Sequence, residues 1–235
     1  MTRASRQGAV AALVWTTASL TAMLIAAPSS AAITDFYETF ASSAQNWRNS
    51  NGASVLNWSP SGGPGNAAYV TSVFNLSATT VGGFPPTVIR AQQSFGSSGG
   101  AYVGNWITAG VTGVTFSFRH NLAEAVSVTG RFATPVNTPG ASTVSSILVN
   151  PNTWTTISFD LREGSSDIIS LGGGTYATIF SNIGNMQFGF TVPAALAGQN
   201  VDGSFDMTNF AIVPAPGALA LLALAGFTGM SRRRR

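Results

Sequence analysis

Alternating apolar and polar residues recur through the middle of the chain and predict antiparallel strands with one buried face. The apolar members of four segments share a face: Val114, Phe116 and Phe118; Val126, Val128, Gly130 and Phe132; Ile157, Phe159 and Leu161; and Met186, Phe188, Phe190 and Val192. The last strand, about residues 204–213, changes parity between Met207 and Phe210, which predicts a bulge or burial on both faces there.

Segments rich in Gly, Pro, Ser and Asn separate these strands, as expected of turns. They are residues 59–65, 82–86, 97–100, 137–140, 150–152 and 172–174. A single short helix is predicted at about Tyr176 to Asn182, with Gly184 just beyond it. Many short strands with long connections predict an all-β fold, an antiparallel β-sandwich of the jelly-roll type.

The first 32 residues have the three parts of a signal peptide. Arg3 and Arg6 precede an uncharged, largely apolar stretch over residues 8–27, and small residues Ser30-Ala31-Ala32 follow. We place cleavage after Ala32, and cleavage after Ala31 fits nearly as well. The secretion machinery and signal peptidase are therefore expected partners.

The C-terminus has a proline motif, Val213-Pro214-Ala215-Pro216, an uncharged run over residues 218–230, and then Arg232, Arg233, Arg234 and Arg235. As a helix, residues 216–230 would reach about 22 Å, which is shorter than the ~30 Å hydrocarbon core of a bilayer. A basic stop after a short transmembrane helix keeps the chain end on the cytoplasmic side.

This order of parts resembles a PEP-CTERM sorting signal, although Ala215 stands where that family has Glu. The resemblance implies that an exosortase-type membrane peptidase cuts near the proline motif and passes the protein to the cell envelope or extracellular matrix. An ordinary membrane anchor is the alternative. The expected organisation is a signal peptide (1–32), a β-sandwich domain (33–212) and a sorting signal (213–235), with an inner-membrane intermediate during export.

The formal net charge of +3 belongs to the two ends, because six of the eleven arginines lie there. The remaining body has five arginines against eight carboxylates, 5 − 8 = −3. A mildly acidic body argues against nucleic-acid binding, which needs a basic face. The chain has no cysteine, so disulfides cannot stabilise it.

Five segments occur in an order that resembles laminin domain IV and related galactose-binding-type jelly rolls: residues 62–69, 102–106, 114–118, 154–161 and 179–183. The resemblance spans roughly Phe36 to Val213. It implies the jelly-roll fold and, more weakly, a carbohydrate ligand.

Catalytic residues are not expected. His120 is the single histidine, so no multi-histidine or Cys–His zinc site can form, and we assign it a surface or hydrogen-bonded structural role. Glycoside hydrolysis needs two carboxylates about 5–9.5 Å apart. The glutamates of the chain, Glu38, Glu124 and Glu163, are scattered among unrelated segments.

A structural Ca²⁺ ion is the one cofactor considered. Glu38 lies on the first predicted strand and Asp206 on the last, and these strands are often neighbours in jelly rolls. Ca²⁺ takes six to eight oxygen ligands, many of them loop carbonyls, so two carboxylates could start a site. Asp35 and Asp202 are alternates, and ordinary surface carboxylates are the competing interpretation.

Sugar binding would need exposed aromatic rings, whose faces stack on pyranose rings. The candidates are Trp47, Trp58, Tyr69, Tyr102 and Trp106, each of which could instead fill the core. Trp58 and Tyr69 flank a Pro/Gly loop and are the favoured pair. Trp154 opens a predicted strand and is assigned to the core.

The sequence thus predicts an exported, non-enzymatic β-sandwich with a structural or adhesive role. A carbohydrate-binding module for surface polysaccharide is the alternative, and a glycoside-active enzyme is third. Two aromatic rings along a concave sheet would favour sugar binding, and a flat Thr/Ser/Asn face would favour adhesion. Hydrolysis would need two carboxylates facing each other in a groove.

Overall fold

The computed structural model describes residues 33–144 and 147–215. The predicted signal peptide, the apolar run 218–230, Pro216 and the four terminal arginines lie outside the described residues. Within the described part of the chain, no helix is both long and apolar enough to cross a membrane.

The described residues form twelve strands and one α-helix. In chain order they are β1 (Tyr37–Glu38), β2 (Asn57–Ser59), β3 (Tyr69–Asn75), β4 (Thr87–Gln92), β5 (Val111–His120), β6 (Val126–Ala133), β7 (Gly140–Thr143), β8 (Leu148–Val149), β9 (Thr155–Asp160), β10 (Ile168–Leu171), α1 (Tyr176–Phe180), β11 (Asn185–Thr191) and β12 (Asp202–Pro214). Short 3₁₀ turns connect several of them.

The strands form two antiparallel sheets. The first sheet has the order β2-β3-β12-β5-β9, and β1 pairs with the second half of β12. The second sheet has the order β10-β7-β6-β11-β4, and β8 pairs with the start of β6. This arrangement confirms the predicted all-β sandwich. The inner faces of the two sheets enclose one hydrophobic core.

The core is built from the apolar faces that the alternation predicts. Phe188 of the second sheet lies 4.8 Å from Phe116 and 5.6 Å from Phe210, measured between ring centroids, and both partners belong to the first sheet. All three rings are buried. Burial of a large apolar side chain contributes about 1.5–3 kcal/mol, so this contact is a main link between the sheets.

Two further predictions of local structure are confirmed. The register between β12 and β5 shifts between Thr208 and Ala211, and Asn209 has a φ of 53°, so the change of parity is a bulge. The predicted helix forms over Tyr176–Phe180, and the hydroxyl of Thr175 accepts a hydrogen bond from the Thr178 N–H at its start.

Gly189 of β11 allows the loop before β4 to lie on the outer face of the second sheet. A Cβ built at this position would overlap the backbone carbonyl of Pro86. The register between β11 and β4 also shifts between Phe188 and Gly189. Since only glycine leaves room for the Pro86 carbonyl, this residue sets where Phe84 and Pro85 stand relative to the sheet.

His120, at the end of β5, is buried and has a structural role. Its Nε2 lies 2.9 Å from the Val149 carbonyl oxygen, and its Nδ1 accepts a hydrogen bond from the Leu122 N–H. An accepting Nδ1 and a donating Nε2 describe the neutral ring. Burial lowers the pKa of His120 below its usual value, although the bond to Val149 partly opposes this shift.

This shift makes the stability of the protein dependent on pH. The unfolded chain, whose histidine titrates near pH 6.5, takes up a proton more readily than the folded protein. The contribution of His120 is therefore present above about pH 6.5 and is lost as the pH falls through the lower folded pKa. Calorimetry should show a melting temperature that drops between about pH 7 and pH 5.

The control is His120→Gln, whose amide can still donate to Val149 but does not titrate. Its melting temperature should depend less on pH over the same range. An identical dependence in the two proteins would show that His120 is not responsible.

Candidate functional site

A groove of about 480 Å³ runs across the outer face of the second sheet. This volume lies within the range of small-molecule sites in proteins. The groove is lined by Phe84, Pro85, Thr87, Thr129, Gly130, Arg131, Ser142, Thr143, Val144, Ile169, Leu171, Gln187 and Gly189. These residues come from every strand on the main path of the sheet and from the loop before β4.

The floor of the groove follows from strand register. Arg90, Gln187, Arg131, Ser142 and Ile169 are successive cross-strand partners from β4 to β10, so they form one row across the sheet. With strands about 4.8 Å apart, this row spans about 19 Å. Gln187, Arg131 and Ser142 lie in the floor, Ile169 belongs to one wall, and Arg90 lies just beyond the lining. A second row beside it contains Thr87, Gly189 and Thr129. The floor is therefore elongated and mostly polar.

Apolar side chains form the walls at the two edges of the sheet. On one side Phe84 is 97% exposed and is followed by Pro85. On the other side Ile169, Leu171 and Val144 are all exposed. Isolated exposed apolar residues are common, but here they stand on both sides of a polar floor, which is typical of a ligand-binding surface.

Asn137, in the loop between β6 and β7, holds the polar groups of the floor in place. Its Oδ1 accepts hydrogen bonds from Arg131 Nη1 and from Gln187 Nε2, each at 2.6 Å, and its carbonyl oxygen accepts one from Arg131 Nη2. The hydroxyl of Thr87 donates to Gln187 Oε1 at 3.3 Å. The donors and acceptors of the floor are thus oriented by the protein itself.

The charge on this face is positive. Among the described residues that line the groove, Arg131 is charged and none is a carboxylate. Burial lowers the pKa of both Arg90 and Arg131, and the positive charge of Arg131 lowers that of Arg90 further. Both groups stay protonated at neutral pH, because the pKa of a guanidinium lies far above neutrality even when burial lowers it. The Arg90 Nε donates to the Ser50 carbonyl at 2.6 Å.

Three of the aromatic residues predicted to bind sugar are instead core residues. Trp47, Tyr102 and Trp106 are at most 1% exposed. The indole of Trp47 donates to Ser98 Oγ, and that of Trp106 donates to the Tyr102 carbonyl, so the two indole N–H groups have partners inside the protein. These three residues therefore fill the core, which was the alternative given for them, because irregular segments outside the strands carry their rings inward.

The favoured pair, Trp58 and Tyr69, does not form a common platform. Trp58 pairs with Val70, while Tyr69 pairs with Ser59, so adjacent positions of β3 place the two rings on opposite faces of the first sheet. Trp58 is 38% exposed and donates its indole N–H to the Phe40 carbonyl. Each ring remains partly accessible, but they cannot stack on one ligand together.

The assignment of Trp154 to the core was wrong. Trp154 is partly exposed on the outer face of the first sheet, with its ring centroid 5.6 Å from that of Tyr69. The guanidinium of Arg119 lies over both rings and pairs with Asp206 at 2.7 Å. Since Ile157 and Phe159 point inward, alternation along β9 itself places residue 154 outward. The guanidinium of Arg119 therefore occupies the faces of Tyr69 and Trp154 on which a sugar ring would stack.

The two carboxylates predicted to start a Ca²⁺ site lie on neighbouring strands but do not face each other. Glu38 is buried and accepts hydrogen bonds from the Phe40 N–H and the Ser98 hydroxyl. Asp206 accepts from Thr71 and Arg119 on the outer face of the first sheet. The described residues contain no group of three or more His, Cys, Asp or Glu side chains able to hold a metal.

The two alternates add no ligand pair. The side chain of Asp35 lies outside the described part, and Asp202 accepts a hydrogen bond from Asn75. The Ca²⁺ ion stays a prediction.

Sequence reasoning missed the residues that line the groove. Phe84 lies in the predicted turn at residues 82–86. The signal for its exposure is its position between a Gly pair and a Pro pair, where no strand can bury the ring. Arg131 and Gln187 could have been placed on the outer face, because they alternate with the inward-facing Phe132 and Phe188. What the sequence did not show is that these strands are neighbours and in register.

Comparisons with known proteins give no family assignment. No protein-family model matches the chain, and no curated protein matches it.

Several solved structures match part of this chain at low sequence identity. An agarase is 10% identical with a TM-score of 0.41, and the match covers 73% of this chain and 23% of the agarase, so this chain spans about a quarter of that enzyme. The carbohydrate-binding module CtCBM11, known from a solution structure, is 17% identical with a TM-score of 0.36. The match covers 74% of this chain and 98% of the module. A family 11 carbohydrate-binding module from Clostridium thermocellum, in complex with a β-1,3-1,4-mixed-linked tetrasaccharide, is 16% identical with a TM-score of 0.35. The match covers 72% of this chain and 95% of that module.

Proposed function

We propose that this chain is a non-catalytic polysaccharide-binding domain that holds a glycan chain in the groove of the second sheet. The observation that carries the proposal is the groove itself: a floor of oriented polar groups from Thr87 to Ser142, about 14 Å across four strands, between apolar walls. A carbohydrate has both kinds of surface, since its hydroxyls need hydrogen-bond partners and its C–H faces need apolar contact.

The shape of the groove fits an extended polymer. The groove crosses all five strands of the main path, from β4 to β10. Thr87, Thr129 and Ser142 offer hydroxyls along it, which can each donate and accept as sugar hydroxyls do. The amide of Gln187 is buried and is held by Asn137 and Thr87.

The groove supports binding rather than hydrolysis. Glycoside hydrolysis needs an acid and a second carboxylate on either side of the bond, and the described lining supplies neither. Glu124 and Glu163 are exposed in loops outside the groove lining. Glu38 is buried, and its carboxylate accepts hydrogen bonds from the Phe40 N–H and the Ser98 hydroxyl.

A structural or adhesive role through the first sheet is the second candidate. The outer face of that sheet carries Thr115, Ser117, Thr156 and Ser158 on the paired strands β5 and β9. Thr156 and Ser158 are exposed. A flat face of short hydroxyl side chains suits packing against another protein surface better than enclosing a ligand.

Export to the cell surface or extracellular matrix completes the proposal, and it is supported by the sequence of the two ends. Mass spectrometry of protein recovered from whole cells and medium should find a new N-terminus after Ala32 and a C-terminus near Pro216. An intact Arg235 would indicate a membrane anchor instead of sorting. Both native ends in a cytosolic fraction would contradict export.

The groove can be tested by removing its exposed aromatic wall. Phe84→Ala should weaken retention of the full-length protein on its polysaccharide about ten-fold, equivalent to ~1.4 kcal/mol, because the ring supplies an apolar face for stacking. Affinity electrophoresis in gels containing neutral or acidic polysaccharides, including mixed-linked β-1,3-1,4-glucan, measures this retention.

Val81→Ala is the matched control. Val81 is 68% exposed in the same connection but does not line the groove, so its loss should leave retention unchanged. Equal retention of the Phe84→Ala variant would remove Phe84 from the site. A protein that no polysaccharide retains would overturn the proposal and leave adhesion as the remaining candidate.

A further inference from the structure

Arg131 lines the groove, and Arg90 stands in the same row two strands away, just beyond the lining. Arg90 and Arg131 are the cross-strand partners of Gln187 on its two sides. Two strand spacings separate them, so their Cα atoms are about 10 Å apart. Because alternate residues share a face, both side chains leave the sheet on the groove side.

Neither arginine is neutralised by the protein. The described ion pairs are Arg119–Asp206 and Arg162–Asp160, both on the first sheet or its connections. Of the carboxylates whose side chains are described, none pairs with Arg90 or Arg131. The body has eight carboxylates against five arginines, so the missing partners on this face do not reflect a shortage of carboxylates.

The existing contacts orient the guanidiniums without using all of their donors. Arg131 bonds Asn137 through Nη1 and Nη2, and Arg90 bonds the Ser50 carbonyl through Nε. A guanidinium has five N–H donors in a planar fork, so each retains donors for a ligand. This fork matches the oxygens of a carboxylate or a similar oxyanion.

Holding two half-buried positive charges near each other costs free energy, since burial and mutual repulsion both disfavour the charged form. A bound anion would remove that cost and form charge-assisted hydrogen bonds. A neutral glycan would leave both charges in place and cover them further.

We infer that the groove binds an anionic polysaccharide, whose carboxylate or sulfate groups pair with Arg131 and Arg90. The inference rests on the proposed function and adds the chemical class of the ligand. The sugar rings lie along the polar floor against Phe84, and the negative groups point to the Arg90–Gln187–Arg131 row.

Two pairs of polymers, each with the same sugar backbone but a charged and a neutral member, test this inference. They are polygalacturonate with its methyl ester, and dextran sulfate with dextran. Affinity electrophoresis of the full-length protein should show at least one charged member bound about ten-fold more tightly than its neutral partner, as expected for one charge-assisted contact. The preference should decrease with added salt. The pair that shows it identifies carboxylate or sulfate as the recognised group.

Variants assign the preference to the groove. Arg131→Gln and Arg90→Gln should each reduce it about ten-fold, and Arg131→Lys should retain part of it because the charge remains while the fork is lost. Arg162→Gln is the matched control, since it removes one positive charge from an exposed site outside the groove. Melting temperatures show whether each variant is folded.

The outcomes separate this inference from the proposed function. Equal binding of charged and neutral partners would overturn the inference and leave polysaccharide binding standing. The inference would also be overturned if the preference for the charged polymer survived both Arg131→Gln and Arg90→Gln. The same holds if Arg162→Gln reduced the preference as much as they do, because the attraction would then be non-specific. Failure to bind any polymer would overturn both.

Discussion

The contact of Phe188 with Phe116 and Phe210 across the sandwich is the interaction on which the rest of the structure depends. It fixes the orientation of β11, because a shift of one residue would move Phe188 out of the core and a polar side chain into it. The same constraint places Gln187 and Gly189 on the outer face. The floor of the groove is therefore a consequence of how the core is packed.

The groove combines features that do not stabilise the folded protein by themselves. Its described lining includes the half-buried Arg131 and no carboxylate, and its rim carries Phe84, which is 97% exposed. A second half-buried arginine, Arg90, follows in the same row just beyond the lining. The hydrogen bonds that Arg131 donates to Asn137 and Arg90 donates to Ser50 offset part of the cost of the charges. Such a combination is typical of a surface whose remaining interactions are completed by a ligand.

The first sheet shows the opposite arrangement. Arg119 pairs with Asp206 and covers the rings of Tyr69 and Trp154, so charge and aromatic surface satisfy each other within the protein. Exposed aromatic residues alone were therefore a poor guide to a binding site. An aromatic ring that a charged side chain of the protein already covers belongs to a self-contained cluster. A ring without such a partner can accept a ligand.

The sequence predicted strand positions well because alternation is a local property: the inward faces of β5, β6, β9 and β11 and the bulge in β12 follow from it directly. It left Trp47, Tyr102 and Trp106 open between the core and a sugar platform, since burial of loop residues depends on how loops pack in three dimensions. The Arg90–Gln187–Arg131 row depends on which strands are neighbours, and residues 90, 131 and 187 are far apart in the sequence. Topology, rather than local pattern, creates the site.

The most direct test is to map the bound polysaccharide by NMR, following backbone amide shifts during titration. If the glycan lies in the groove, the largest shift changes occur at Thr129, Arg131 and Gln187 on the outer face of the second sheet, while the amide signals of Thr156 and Ser158 on the first sheet are unchanged. Changes concentrated on the first sheet, with the groove unaffected, would contradict this placement of the glycan.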